Sequence, residues 1–464
     1  MRRLEYYLKR YGLLVSAIVL FLIIKLSQLD FKFSDGPTYM YMANLVLQGL
    51  VPYRDFFLAN PPLQVYIIAF WELFFGNNIL LLKLIPLFAT VGSALFIYRF
   101  MNKKFGELQA LTASVLFLFS FLILLTTDYS TGIHLTLFFI LASFCFIEED
   151  KPLLAGILGS LALLTRLYAV FPLAGAGLYY LIFKRAGIPK FIAGLLLVFL
   201  PISIILQTIS NGTYLDQIFF FRLNLVSGIG LSKFSVVSFF LSREFVLILG
   251  TALYFIFADE KRKMHIPILA TAFSLILYIT YSDVYYLYFG LIMGFLAMFT
   301  TKTIFLFEDC KHFKKILALF LICFIIINSF FYIRNYASVS NITFSEDISN
   351  FVKENSFENQ TIYGNFEIAP LVSLLSERKM ADDIADTNPK NVMTGTLNME
   401  EIEERIAGVK FIILKGDVLP DGSISVSDAS TPVNYINENC ILAKTYLIEK
   451  DYSNNAVFVF DCLD

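Results

Sequence analysis

The stretch Phe33-Ser34-Asp35-Gly36-Pro37-Thr38-Tyr39 sets a carboxylate among residues that start helices. Asp35 follows a long apolar run by a few residues, which puts its carboxylate at a boundary between water and lipid. A carboxylate there suits a general base that takes a proton from a water-borne group while the other reactant stays in the lipid. The competing reading is local: Asp caps helices well and Pro favours their first turn, so Asp35 could do no more than cap a helix beginning near Pro37. Other chemistries find less support. No glycine-rich loop ending in Lys-Ser/Thr is present to cradle phosphates, and His134, His265 and His312 lie far apart without metal-ligand spacing. Asp382, Asp383 and Asp386 do not make an Asp-x-Asp pair. An ATP-driven pump, a zinc enzyme and a metal-dependent transferase of nucleotide sugars are therefore disfavoured, and neither a metal nor another cofactor is expected.

The elements that position Asp35 belong to a membrane. Of 464 residues, 57% are apolar and 16% charged, too hydrophobic a balance for one soluble globule. Residues 336–464 hold 21 Asp/Glu against 9 Lys/Arg, whereas residues 1–335 hold 17 against 27. Two compartments thus meet near Arg334. Apolar runs on the order of 20 residues, long enough for a hydrocarbon core of roughly 30 Å, occur near 11–29, 79–98, 106–126, 131–147, 188–208, 235–257, 265–281, 284–300 and 313–333. The stretch 152–183, interrupted by Arg166, reads as a tight helical pair, for a total of about eleven spans. The run 61–76 opens well at Pro61-Pro62 but is short and carries Glu72 inside it. It reads as lying on the membrane. With that assignment eighteen Lys and Arg fall on the side of the N-terminus and six on the other, so the N-terminus is expected in the cytoplasm. No small-residue cleavage site follows the first run, which is expected to stay as an anchor.

The expected fold class is therefore mainly α: a polytopic plasma-membrane part over 1–335, with an outer first loop at 30–78, and a small extracytoplasmic α/β domain over 336–464. In that domain Thr361–Tyr363, Val409–Leu414 and Ala456–Phe460 read as strands and Asn398–Ala407 as a helix, with Asn398 as N-cap, Glu401 three residues on and Gly408 behind it. Cys440 and Cys462 form the sole outer cysteine pair, so a bridge between them is one of two open readings.

Four blocks in a fixed order carry a family resemblance: Asp35-Gly-Pro-x-Tyr, Gly49–Phe57, Pro61-Pro62-Leu63 and Leu161-Ala-Leu-Leu-Thr165-Arg166. The chain resembles the polyprenyl-phosphate-sugar-dependent glycosyltransferases of the GT-C fold, among them protein O-mannosyltransferases and lipid A aminoarabinose transferases. The single Trp71 excludes the Trp-Trp-Asp signature of oligosaccharyltransferases. The resemblance implies transfer of one sugar from a polyprenyl phosphate to a hydroxyl of a glycan, lipid or protein acceptor, with inversion and without a metal. It also implies membrane lipids, and no nucleic acid, as partners. The catalytic base would be Asp35, although the family often has a second acid where this chain has Gly36. A further site Asp of the second outer loop would be Asp128, or His134 in its place. Cations for the donor phosphate would come from Arg54, Arg166, Arg222 and Arg243. Tyr39, Asn60, Tyr285 and Tyr286 would contact the sugar or the acceptor. Arg243 stands inside an apolar span, where charge is expensive and usually functional or paired; its neighbour Glu244 points elsewhere on the helix. Blander readings remain for each cation: Arg54 paired with Asp55, Arg166 snorkelling, Arg222 on a solvated loop. A secondary transporter or flippase and a non-catalytic scaffold are the rival functions. Against the first stands the scarcity of midplane charge; against the second, the Asp35 loop.

Overall fold

The computed structural model describes residues 2–31, 33–221, 232–258, 261–281, 284–340, 344–419, 421–426, 428–447 and 456–462, with side chains of residues 2–10 and 336–340 not described. Five of its helices are long and apolar enough to cross a bilayer: Ile79–Phe105, Arg185–Ile209, Lys261–Thr280, Tyr286–Phe307 and Phe313–Asn335. Lys233–Arg243 and Phe245–Phe257 make a sixth if they count as one span, but they meet at 83°. Shorter apolar helices complete the bundle, among them Tyr11–Leu26, Glu107–Leu118, Ile133–Glu148, Pro152–Thr165 and Leu167–Phe183.

Two runs that read as continuous are broken. The run 235–257 bends at Glu244, which is 2% exposed and accepts a hydrogen bond at 2.6 Å from the Leu122 N–H. Buried away from water, that carboxylate finds its donor at the open first turn of the helix Phe121–Thr126, whose N–H groups lack intrahelical partners. The run 106–126 breaks just before the same helix, at Phe119-Ser120.

Small residues let the helices approach. Pro152–Thr165 crosses Ile188–Ile209 at Gly156 and Gly194: a Cβ on Gly156 would lie 2.1 Å from the Phe191 carbonyl oxygen and 2.9 Å from the Gly194 Cα. Backbones this close exclude any side chain, a contact type favoured in membranes, where no hydrophobic effect drives helices together. The crossing anchors the helix whose end carries Arg166.

The loop after the first helix contains the helices Asp35–Leu47 and Leu63–Phe75. The second has 13 residues. It buries Val65, Ile68 and Glu72 and exposes Phe70, Leu73 and Phe74.

The terminal domain is built on a six-stranded sheet: β1 (Thr361–Gly364), β2 (Lys379–Met380), β3 (Phe411–Val418), β4 (Ile424–Ser425), β5 (Cys440–Leu447) and β6 (Ala456–Cys462). Strands run in the order β2-β1-β3-β6-β5, parallel from β2 to β3 and antiparallel from β3 to β5, with β4 paired to the end of β3. The expected helix is present as Met399–Arg405, with the Asn398 side chain accepting from the Glu400 N–H and Gly408 at φ +82° behind it. Cys440 and Cys462 face each other across β5 and β6 and are bridged.

This domain is docked on the first-loop helix. Thr38 donates to the Phe366 carbonyl at 2.9 Å, and the Met380 N–H donates to the Tyr41 hydroxyl at 2.9 Å. Around these bonds Met40, Tyr41 and Leu45 share one buried cluster with Ile368, Leu371 and Val372.

Candidate active site

Ser34, not Asp35, caps the first-loop helix: its backbone is extended and its hydroxyl accepts from the Gly36 N–H at 3.3 Å. Asp35 is the first residue of the helix and lines a cleft of about 1030 Å³, its open mouth included. The capping alternative for Asp35 is thus corrected by the residue before it. Although the carboxylate reaches the solvent of the cleft, protein surrounds it closely enough to penalise its charge. Its pKa is pushed up to about 6, first by this desolvation and then by Glu367 and Asp386, while Arg166 and Lys390 pull the other way. A group poised near neutrality is what general-base catalysis requires.

In the same cleft stands a network around Arg166. The helix Pro152–Thr165 ends there because Arg166 turns to extended backbone, at φ −148°. Arg166 as a whole is 6% exposed. Nε donates to the Thr131 carbonyl at 2.6 Å, Nη2 donates to the same carbonyl and to the Tyr39 hydroxyl, the latter at 3.0 Å, and Nη1 donates to the Asn60 Oδ1. Asn60 in turn donates to the Tyr39 hydroxyl at 2.7 Å. Residues 39, 60, 131 and 166, from four separate segments, are thereby fixed relative to one another. A third wall carries Tyr281, Tyr285 and Tyr288.

Among the residues expected from sequence, Asp35, Tyr39, Asn60, Arg166 and Tyr285 line this one cleft. The others are elsewhere. Asp128 does not line it; its carboxylate accepts from Lys25 at 2.8 Å, and the Lys25 ammonium also donates to the Leu124 carbonyl and to Tyr332, at 2.7 and 2.9 Å. That buried pair ties the first helix, the helix Phe313–Ser340 and the turn at 127–132, whose Thr131 holds Arg166. His134 is buried between the hydroxyls of Thr90 and Thr126, at 3.0 and 2.9 Å. Arg54 forms a two-pronged ion pair with Asp55 on the surface, at 2.8 and 2.9 Å. Arg243 lies at the 83° elbow, in a second cavity, with the rings of Phe121, Phe239 and Phe331 between 5.1 and 5.8 Å from its guanidinium. Tyr286 packs against Phe239 and does not line the cleft. Arg222 falls outside the described residues.

The remaining wall belongs to the terminal domain: Phe366, Glu367, Asp386, Asn388, Lys390 and Asn391. In the sequence only its Asp386 drew notice, as part of a set that makes no Asp-x-Asp pair. Lys390 lies over the Tyr285 ring, 4.9 Å from its centre, and donates to its hydroxyl at 3.4 Å. The carboxylates that accompany Asp35 therefore come from this domain, and not from position 36, where Gly36 is packed against the Ser130 backbone: a Cβ there would touch the Ser130 nitrogen at 3.4 Å. The polar run Asp386-Thr-Asn388-Pro389-Lys390 was the one available signal.

Known proteins share this architecture. Residues 59–207 match the family model described as dolichyl-phosphate-mannose-protein mannosyltransferase. In structure the chain is similar to ArnT from Cupriavidus metallidurans bound to undecaprenyl phosphate, with a TM-score of 0.67 at 11% identity over 97% of this chain and 98% of that one. It is also similar to the oligosaccharyltransferase AglB from Archaeoglobus fulgidus, solved with an inhibitory peptide and a dolichol-phosphate, with a TM-score of 0.54 at 13% identity over 91% and 75%. A third similar structure is the mycobacterial arabinofuranosyltransferase AftD, with a TM-score of 0.55 at 11% identity, over 98% of this chain and 40% of that one. No curated protein matches the chain in sequence. From end to end the chain thus has the fold of the GT-C polyprenyl-phosphate-sugar glycosyltransferases, and part of its membrane bundle matches their mannosyltransferase family model.

Proposed function

We propose that this protein is a membrane glycosyltransferase that moves one sugar from a polyprenyl phosphate to an acceptor hydroxyl on the extracytoplasmic side. The observation that carries the reading is the position of Asp35, which shares with a fixed guanidinium a cleft between the membrane bundle and the terminal domain. Asp35 takes the proton of the acceptor hydroxyl as the acceptor oxygen bonds to the anomeric carbon. The bond from that carbon to the phosphate oxygen breaks with inversion, and polyprenyl phosphate leaves. Since that phosphate is already a good leaving group, the protein's share is to orient the reactants and to meet the charge that develops. The relatives solved with undecaprenyl phosphate and dolichol-phosphate support a donor of this class.

For the membrane part we keep eleven spans with the N-terminus in the cytoplasm. The five long helices, the bent pair taken as one and the short apolar helices other than Leu63–Phe75 support that count.

Asp35→Asn tests the reaction. The amide keeps the size of the side chain but cannot take a proton, and loss of a general base costs on the order of 100-fold to 10,000-fold in rate. Transfer from a radiolabelled polyprenyl-phosphate sugar, measured in membranes with matched protein amounts, should fall by that factor. Activity within a few-fold of the parent would remove Asp35 from the mechanism.

A further inference from the structure

We infer that the cavity at the helix elbow binds an anionic phospholipid, with Arg243 holding its phosphate. This cavity shares no lining residue with the cleft of Asp35, and its assignment does not depend on the transferase reading.

The elbow between Lys233–Arg243 and Phe245–Phe257 sets two charged residues side by side in an apolar run. Glu244 is buried and accepts from the Leu122 N–H, so its charge is spoken for. Arg243 is exposed. Among the described residues it makes no hydrogen bond and no ion pair, and its contacts are the rings of Phe121, Phe239 and Phe331. Those rings belong to three helices, Phe121–Thr126, Lys233–Arg243 and Phe313–Ser340, so the guanidinium sits at their junction. All five of its N–H donors are open. A cation in an apolar span is expensive unless it meets an anion.

The surroundings say what that anion is attached to. The cavity measures about 860 Å³, its open mouth included, and Phe245, Val246, Phe320, Phe324 and Ile327 give it an apolar wall. Its other polar side chains are spent on their own helices: Ser242 donates to the Phe239 carbonyl at 2.8 Å, and Asn328 donates to the Phe324 carbonyl at 2.9 Å. Such a wall suits hydrocarbon chains, and the single guanidinium suits one headgroup. Charge then decides among lipids. No carboxylate among the described residues lines the cavity, so the ammonium of a zwitterionic headgroup finds no partner in it. A phosphate monoester such as a polyprenyl phosphate brings about 1.5 to 2 negative charges at pH 7 against one cation, and leaves the excess in apolar surroundings. A phosphodiester of an uncharged alcohol, as in phosphatidylglycerol, brings one, and its two free oxygens match the forked donors of a guanidinium.

The experiment uses the full-length protein in a nonionic detergent, as parent, Arg243→Met, Arg243→Lys and Ile327→Trp. Phosphatidylglycerol, phosphatidylcholine and undecaprenyl phosphate are titrated, bound copies are counted by native mass spectrometry, and the melting temperature is followed in parallel. We expect the parent to take one phosphatidylglycerol on the order of tenfold more tightly than phosphatidylcholine, as one charge-assisted pair predicts. Its melting temperature should rise with that lipid, which bridges the elbow and Phe313–Ser340. Undecaprenyl phosphate should bind without displacing it. Arg243→Met should level the two phospholipids, whereas Arg243→Lys, which keeps the charge but not the fork, should retain part of the preference. Ile327→Trp fills the cavity with the cation left in place and should lose the lipid as well. Equal affinities of the parent for the two phospholipids, or a preference in Arg243→Met within twofold of the parent's, would overturn the inference. Parental phosphatidylglycerol affinity in Ile327→Trp would put the lipid elsewhere on the protein. Displacement of phosphatidylglycerol by undecaprenyl phosphate, lost in Arg243→Met, would hand the cavity to the polyprenyl lipid and refute the phospholipid assignment.

Discussion

Asp35 is held where its own charge is unwelcome, and that has a measurable sign. Because its folded pKa, about 6, lies above the ordinary carboxylate value of 3.8, the fold prefers the protonated form, and this stabilisation, full below pH 3.8, is lost as pH rises through about 6. Activity and stability should therefore move in opposite directions. Transfer by the parent is expected to rise with pH as Asp35 ionises, with a half-point near 6, whereas its melting temperature should gain from acidification through the same interval. Asp35→Asn, neutral at every pH, should melt at or above the parent at pH 7.5 and lose the Asp35 part of the pH dependence. A variant that melts lower than the parent would mean that the ionised carboxylate stabilises the fold. At this scale the residues that meet in the cleft are those that the resembling blocks carry or adjoin, Asp35, Tyr39, Asn60 and Arg166, with Tyr285 from an aromatic cluster. The sequence was unreadable where a polar residue is consumed by a distant partner. Asp128 is 103 residues from Lys25, and nothing local to either announces that they meet.

Between elements, the bundle depends on contacts that depend on the absence of side chains. Gly156→Ala would drive a Cβ into the Phe191 carbonyl and force two backbones apart, whereas Gly177→Ala, on the helix Val170–Phe183, would meet nothing within 4 Å. Overpacking of this kind costs about 1–3 kcal/mol, occasionally more. In detergent, thermal unfolding followed by size-exclusion chromatography should show Gly156→Ala melting several degrees lower and Gly177→Ala close to the parent. Equal melting temperatures would mean that the Gly156 crossing is slack. Hydropathy located most of these helices but not their breaks. An apolar run looks the same straight or bent, and the bend at Glu244 is caused by one buried carboxylate that seeks an N–H on another helix. In the terminal domain β1, β3 and β6 were legible as short apolar runs. β5 was not, because most of its residues are exposed and its order comes from pairing with β6.

For the whole molecule, the orientation rests on the distribution of charge. If the N-terminus is cytoplasmic, a single cysteine at Asn77 or Asn211, in a chain whose free Cys145, Cys310 and Cys323 have been replaced, should be labelled by an impermeant thiol reagent in intact cells. One at Asn102 should not. Labelling at Asn102 with protection at Asn77 would invert the topology and require Leu63–Phe75 to cross the membrane.

The docking of the terminal domain has a further consequence. Thr38 and Tyr41 bind it from the same helix that begins with Asp35, and the buried cluster around them continues into the domain. Position is thus secured by a non-covalent seam, and peptide continuity is a separate matter. If a protease site is inserted between Ser340 and Phe344 and cut after assembly, the two fragments should remain together through purification in mild detergent and keep most of the transfer activity. The halves should even reconstitute when expressed as separate chains. Fragments that part on cutting would show that the tether, and not the seam, sets the geometry of the site.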